Sequence, residues 1–387
     1  MPLTHRERVL TTCEHREPDR VPLDLGGTQT GILVEPYAVL KQALGLKTPT
    51  EVGNQVLGLA RVEEAVLERL DIDFRHVWPR MPATWRLELR SDDSFCDDWG
   101  VRWQRPAGGH YYDMVEHPLA AATLEALAAY TWPDPEDPGR VAGAAEEARR
   151  LRDTTDYALE AGLVGLWESA WFLVGFERWL LALGENPEFA EAVLDRTLAV
   201  LKRMHSAYLA AVGPYVDLVT LWDDYGTQQG PVISPALWRR LVKPRLADLI
   251  ATLKGKTKAR IGLHCCGSLR AILDDLVEVG VEVLNPVQVS ARGMQPDELK
   301  ARYGRHLTFW GGIDTQHVLP RGSCGDVARA VRETLAALGP GGGYILAAVH
   351  NIQPGVPPAN ILTMYETARR EGRYPLTGVC ATKGRCG

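Results

Sequence analysis

The chain has 387 residues, 45% of them hydrophobic and 24% charged, ordinary values for a folded protein with a large core. That length accommodates roughly two or three average domains, or one barrel with insertions. A formal net charge of −6 and the absence of any Lys/Arg block argue against a nucleic-acid partner, and no apolar run approaches the roughly 20 residues of a membrane span.

The first residues, Met1-Pro2-Leu3-Thr4-His5-Arg6-Glu7-Arg8, are polar, so no signal peptide is expected. Cysteines at 13, 96, 265, 266, 324, 380 and 386 form an odd, scattered set, unlike a secreted disulfide framework. The expectation is a reducing, cytoplasmic protein with thiols free for metal or chemistry.

Along the chain, short apolar runs alternate with helical patterns. Candidate strands are 21–25, 73–77, 162–167, 216–222, 259–263, 281–284, 307–310 and 344–349. Most are continuous rather than alternating, as strands buried on both faces should be. Phe189, Val193, Leu194, Leu198, Leu201, Met204 and Tyr208 follow a three/four spacing, as do Val327, Val331, Leu335 and Leu338 before Gly339-Pro340. Ser234-Pro235 reads as a cap with a first-turn proline, and Ser268 as the cap of a helix carrying Ile272, Leu273 and Leu276.

Eight strands with intervening helices predict an α/β chain folded as a (β/α)8 TIM barrel, with an open doubly wound sheet as the alternative. The barrel is one domain over 1–375. A hairpin-like insertion after the second strand, about 85–118, carries Trp85-Arg86-Leu87-Glu88-Leu89 and Gly100-Val101-Arg102-Trp103. Residues 376–387, with Cys380 and Cys386, read as a flexible tail.

Polar residues cluster after these strands. Asp24 follows the first and Glu168 the third. Asp223-Asp224 follow the fourth, His264 and Cys266 the fifth, and Asn285 with Gln288 the sixth. Asp314 follows the seventh and His350 the eighth. Carboxyl ends of strands form the face on which barrel enzymes build their sites.

His264-Cys265-Cys266 reads either as a buried cysteine pair beside a bonded histidine or as two corners of a zinc-type site. His264 and Cys266 project to one side of an extended chain, and Cys265 points into the wall. Gly267-Ser268 would start a helix there, and its positive end would favour a thiolate. His350 is either satisfied by a carbonyl or a third ligand. Asp223-Asp224 could be a solvated turn or serve substrate binding and proton transfer. Glu168, between Trp167 and Trp171, could be a fourth ligand, a general base or an ion-pair member. Surface salt bridges are the expected role of Arg6, Arg8 and Arg20. Gly341-Gly342-Gly343 is a turn, and His306 and His317 are loop residues.

The chain resembles the uroporphyrinogen decarboxylase superfamily over nearly its whole length, to about Pro375. The resemblance is carried by Arg6-Glu7-Arg8-Val9-Leu10, Glu17-Pro18-Asp19-Arg20-Val21-Pro22, Ile233-Ser234-Pro235, His264-Cys265-Cys266-Gly267, Trp310-Gly311-Gly312-Ile313-Asp314 and Val356-Pro357-Pro358-Ala359-Asn360-Ile361. Members are (β/α)8 barrels. The His-x-Cys-Gly pattern is similar to the cobamide-dependent methyltransferase branch, which implies zinc on His264 and Cys266 and a corrinoid on a separate partner protein. The branch's third ligand is usually a cysteine ending the last strand, where this chain has His350.

One thiolate with two imidazoles leaves zinc formally +1, a stronger Lewis acid than with two thiolates, suited to an oxygen- or nitrogen-linked methyl donor. The resemblance therefore implies a zinc-dependent methyltransferase moving a methyl group between a small substrate and a corrinoid or thiol. Asp223, Asp224 and Glu168 would be catalytic, and Asp24, Asn285, Gln288, Trp310 and Asp314 would contact substrate. Homodimerisation is the expected assembly. The decarboxylase proper uses an Arg-Gln-Ala-Gly-Arg run, where this chain has Leu23-Asp24-Leu25-Gly26-Gly27-Thr28. A uroporphyrinogen decarboxylase-like lyase acting on a carboxylated substrate is therefore the alternative.

Overall fold

Seven parallel strands lie side by side in chain order: β1 (Phe74–Val77), β2 (Ala158–Val164), β3 (Leu218–Trp222), β4 (Arg260–His264), β5 (Val283–Val287), β6 (Thr308–Ile313) and β7 (Tyr344–Ala348). The structure is a computed structural model that describes residues 3–109 and 111–376. The expected tail, with Cys380 and Cys386, lies outside the described residues except for Leu376.

The eighth stave is the extended segment 21–25, which closes the curled sheet between β7 and β1. The Leu346 N–H donates to the Pro22 carbonyl (2.9 Å), and the Asp24 N–H donates to the Leu346 carbonyl (3.1 Å). On the other side the Asp73 N–H donates to the Leu23 carbonyl at 2.9 Å. Pro22 has no N–H, and the N–H of Leu23 goes to the Asp73 carboxylate at 2.7 Å, so no regular ladder forms. The result is the expected TIM-barrel-like α/β fold with one irregular stave.

Helices cover the outside where the apolar spacing anticipates them. Pro187–Val212 starts under an Asn186 cap, Pro235–Leu241 under Ser234, and Cys324–Leu338 under a Ser323/Asp326 capping box. Among the described residues no helix is long and apolar enough to cross a membrane.

At the base of the barrel, Val9 and Cys13 of the helix His5–Cys13 pack against Phe74, Ala158, Leu218, Val283, Trp310, Ile345 and Ala347. Trp310 is 1% exposed and stacks on Phe74, with ring centroids 5.3 Å apart. It therefore belongs to the barrel core and not, as expected, to a substrate surface. Its place early in β6 directs it into the lower interior layer. Arg8 and Arg20 also depart from expectation, because their salt bridges are buried. Arg8 Nη1 (2.5 Å), Arg20 Nη1 (2.7 Å) and His5 Nδ1 (2.8 Å) converge on the fully buried Asp73. Arg6, itself exposed, pairs with the buried Asp217 at 2.9 Å.

Three local expectations are corrected. The third strand is Ala158–Val164 and not 162–167: Gly165 ends it, and Leu166–Val174 is helix, with Glu168 in its first turn. The insertion is a three-stranded antiparallel sheet, Ser94–Cys96, Arg102–Gln104 and Asp113–Glu116, not a simple hairpin; the 85–89 run lies outside its strands. Ser268 caps nothing. Its hydroxyl donates to the Arg292 carbonyl at 2.5 Å, and the next helix is Leu273–Glu278.

Candidate metal centre

β4 and β7 end on the same face of the barrel, and the residues at and just beyond their ends meet. One ligand atom each from His264, Cys266 and His350 lie within 4.8 Å of one another. Cys266 Sγ stands 3.6 Å from His264 Nε2, and the two imidazole centroids are 5.6 Å apart. With bonds of about 2.0–2.3 Å, ligand atoms on a tetrahedral zinc are separated by roughly 3.5 Å, so the sulfur–nitrogen edge already fits. Cys265, in contrast, is fully buried in the wall, where its sulfur accepts the Tyr225 N–H at 3.0 Å.

The neighbouring groups hold the two imidazoles in ligand form and fix the backbone at Cys266. His264 Nδ1 lies 2.5 Å from Asn285 Oδ1, which leaves Nε2 free to face Cys266. Burial pushes His264 down to about 4. Burial and the neighbouring His264 do the same to His350, so both rings are neutral near pH 7. The Cys266 N–H donates to Asp224 Oδ1 at 2.6 Å, and the Gly267 N–H to Gln288 Oε1 at 2.7 Å. Gly267 adopts φ +85°, and a Cβ there would come within 2.6 Å of the Thr227 carbonyl, so the loop needs glycine.

The expected helix end beside Cys266 is absent, and the thiol is not eased toward thiolate by the protein alone. Burial, then the charges of Asp224 and Glu168, push it well up. Burial, followed by Asp224 and Asp223, holds Glu168 well above the carboxylate range. Burial raises Asp224 against the opposing pull of the Cys266 N–H and His350. A buried nest of carboxylates and a thiol beside two neutral imidazoles is the environment a divalent cation would balance. The residues present fit a zinc ion. Neither Glu168 nor Asp224 belongs to the close trio.

The other expected residues divide by position. Gln288 and Asp314 line a cavity of about 660 Å³ that also exposes Cys266 and His350, so the trio has an open side. Asp314 Oδ1 is committed to the backbone N–H groups of Gln316 (2.9 Å), His317 (2.5 Å) and Val318 (3.1 Å). Asp223 is fully buried and faces away from that cavity. Its carboxylate accepts the N–H groups of Leu166 (2.9 Å), Trp167 (3.0 Å) and Glu168 (2.8 Å) and the Tyr225 hydroxyl (2.6 Å). It caps a helix from a distant part of the chain, so of the adjacent pair Asp224 is the one beside His264, Cys266 and His350.

Asp24 is also withdrawn from the cavity. His76 Nε2 lies 2.9 Å from its Oδ1, Thr30 donates to its Oδ2 at 2.5 Å, and His76 Nδ1 lies 2.9 Å from Glu160 Oε2. This interior Asp24–His76–Glu160 row went unread in the sequence. A glutamate inside an otherwise apolar strand was the available signal.

Comparison with known proteins agrees with this architecture. The family model "Uroporphyrinogen decarboxylase (URO-D)" matches residues 110–371. A uroporphyrinogen decarboxylase of Thioalkalivibrio sulfidiphilus (strain HL-EbGR7) is 23% identical over 291 residues, covering 72% of this chain and 74% of its own. A methyltransferase from Methanosarcina mazei superposes with a TM-score of 0.66 at 18% identity, over 95% of this chain and 99% of that one. With a family model matched over most of its length and the barrel to go with it, the chain belongs to the uroporphyrinogen decarboxylase family.

Proposed function

We propose that this protein is a zinc-dependent methyltransferase that moves a methyl group between a small substrate and a corrinoid carried by a separate protein. The observation that carries this reading is the convergence of His264, Cys266 and His350 at the open cavity. Zinc on these three residues would supply Lewis acidity to the heteroatom that holds the methyl group.

The remaining groups act around that atom. Asn285 fixes the tautomer of His264, and Asp224 and Gln288 hold the backbone on both sides of Cys266. Glu168 and Asp224, the acids whose charges act on Cys266, would orient the substrate or move a proton at the heteroatom as its bond to the methyl carbon breaks. Asp223 positions Glu168 by fixing the first turn of its helix.

The test is the absorption change of free cob(I)alamin mixed with the protein and a panel of O-methyl and N-methyl donors. Methylation that is lost on chelation and restored by zinc supports the reading; no methylation with any donor, or methylation indifferent to chelation, contradicts it. A lyase is the second reading, favoured by the name of the Thioalkalivibrio relative. It predicts carbon dioxide release from a carboxylated substrate that survives chelation.

A further inference from the structure

A second cavity, of about 340 Å³, lies toward β2 and β3 and reaches out to the insertion. Its walls carry four indoles, Trp78, Trp85, Trp99 and Trp222, together with Arg80 and Arg140. It backs onto the metal centre from two directions. Trp222 is the register partner of His264 on the neighbouring strand, so both side chains face the barrel interior. Thr28, on another wall, accepts the side-chain N–H of Asn351, the residue after His350, at 3.0 Å.

The chamber is built around Trp222. Gly162 lines it, and a Cβ at that position would come within 2.4 Å of the Trp222 ring, so the indole lies across the glycine. Trp222 Nε1 is buried with no hydrogen-bond partner, which leaves a donor on this wall unused.

Volume and charge limit what enters. The space lies at the small end of the roughly 300–1,000 Å³ of ordinary ligand pockets, so it takes one ring and excludes a corrin macrocycle. Indole faces would also attract a methylated ammonium, but the charged groups oppose it. Asp98 is matched by Arg140. Arg80 meets Glu147 through one guanidinium nitrogen only, so among the described residues it keeps donors to spare at the rim, while Arg61, the other partner of Glu147, lies outside this chamber.

We propose that this tryptophan-lined chamber binds a single-ring aromatic carboxylate, with its ring among the indoles and its carboxylate toward Arg80. The lining holds none of His264, Cys266 and His350, so the binding does not rest on the methyltransferase reading.

The experiment measures dissociation constants by calorimetry on the full-length protein, as purified and after chelation. The probes are 4-methoxybenzoate, its uncharged counterpart anisole, and tetramethylammonium. The wild type is expected to bind 4-methoxybenzoate with or without metal, and tighter than the other two. Trp85→Ala, at the partly exposed insertion, should weaken it by about fivefold or more. Arg80→Gln should weaken 4-methoxybenzoate but leave anisole unchanged, a readout that general misfolding would not give. Absence of binding, tetramethylammonium binding as tightly, or both variants binding like the wild type would overturn the proposal.

Discussion

His264 Nδ1 and Asn285 Oδ1 lie 2.5 Å apart, across two neighbouring strands whose register sets these residues side by side. The contact settles which ring nitrogen is free for a metal, because the hydrogen on Nδ1 is taken by the amide oxygen. Partners of this kind typically contribute 10–100-fold to metal affinity. Asn285→Ala should therefore weaken zinc binding by about that factor, measured by competition with a chromophoric chelator, while saturating zinc still gives one ion per chain.

Asp223 and Asp224 are neighbours in sequence with unlike duties. Asp223→Ala removes the acceptor for three backbone N–H groups at the start of Leu166–Val174 and should cost about 2 kcal/mol or more in urea unfolding. Asp224→Asn keeps an oxygen for the Cys266 N–H, so stability should change by less than about 1 kcal/mol while turnover falls by about 100-fold. Equal losses of stability in the two variants would remove this division of roles.

Burial alone would push His76 down, but the carboxylates of Asp24 and Glu160, each at 2.9 Å, overcome it and raise the ring to about 9 from an ordinary 6.5. The folded protein thus holds this proton more tightly than the unfolded chain. The stabilisation is complete below about pH 6.5 and fades as pH rises through 9. Denaturant midpoints should fall across that window, and His76→Gln should flatten the fall. An unchanged slope in the variant would show that another group is responsible.

Much of this was legible in the sequence because barrel strands are short apolar runs and their polar successors share one face. His264, Cys266 and His350 followed from that periodicity. Less legible were features that depend on distant partners. Asp223 looked like half of a reactive pair because the helix it caps lies 57 residues earlier at its start. Trp310 looked like a ligand contact because apolar runs do not reveal which layer of the interior a ring will fill. Gly267-Ser268 carried helix-start chemistry, but φ +85° at Gly267 and the bond from Ser268 to Arg292 turn the chain into a loop first. The run 21–25 read correctly as a stave, with Pro22 the reason that it is irregular.

X-ray absorption at the zinc edge of the dialysed protein, with metal content per chain, tests the central claim most directly. One zinc per chain with a single sulfur near 2.3 Å and two imidazole nitrogens near 2.0 Å is the predicted result, with the sulfur lost in Cys266→Ala and one nitrogen lost in His350→Ala. A protein without stoichiometric metal, or one whose ion keeps the same shell in both variants, would contradict the account.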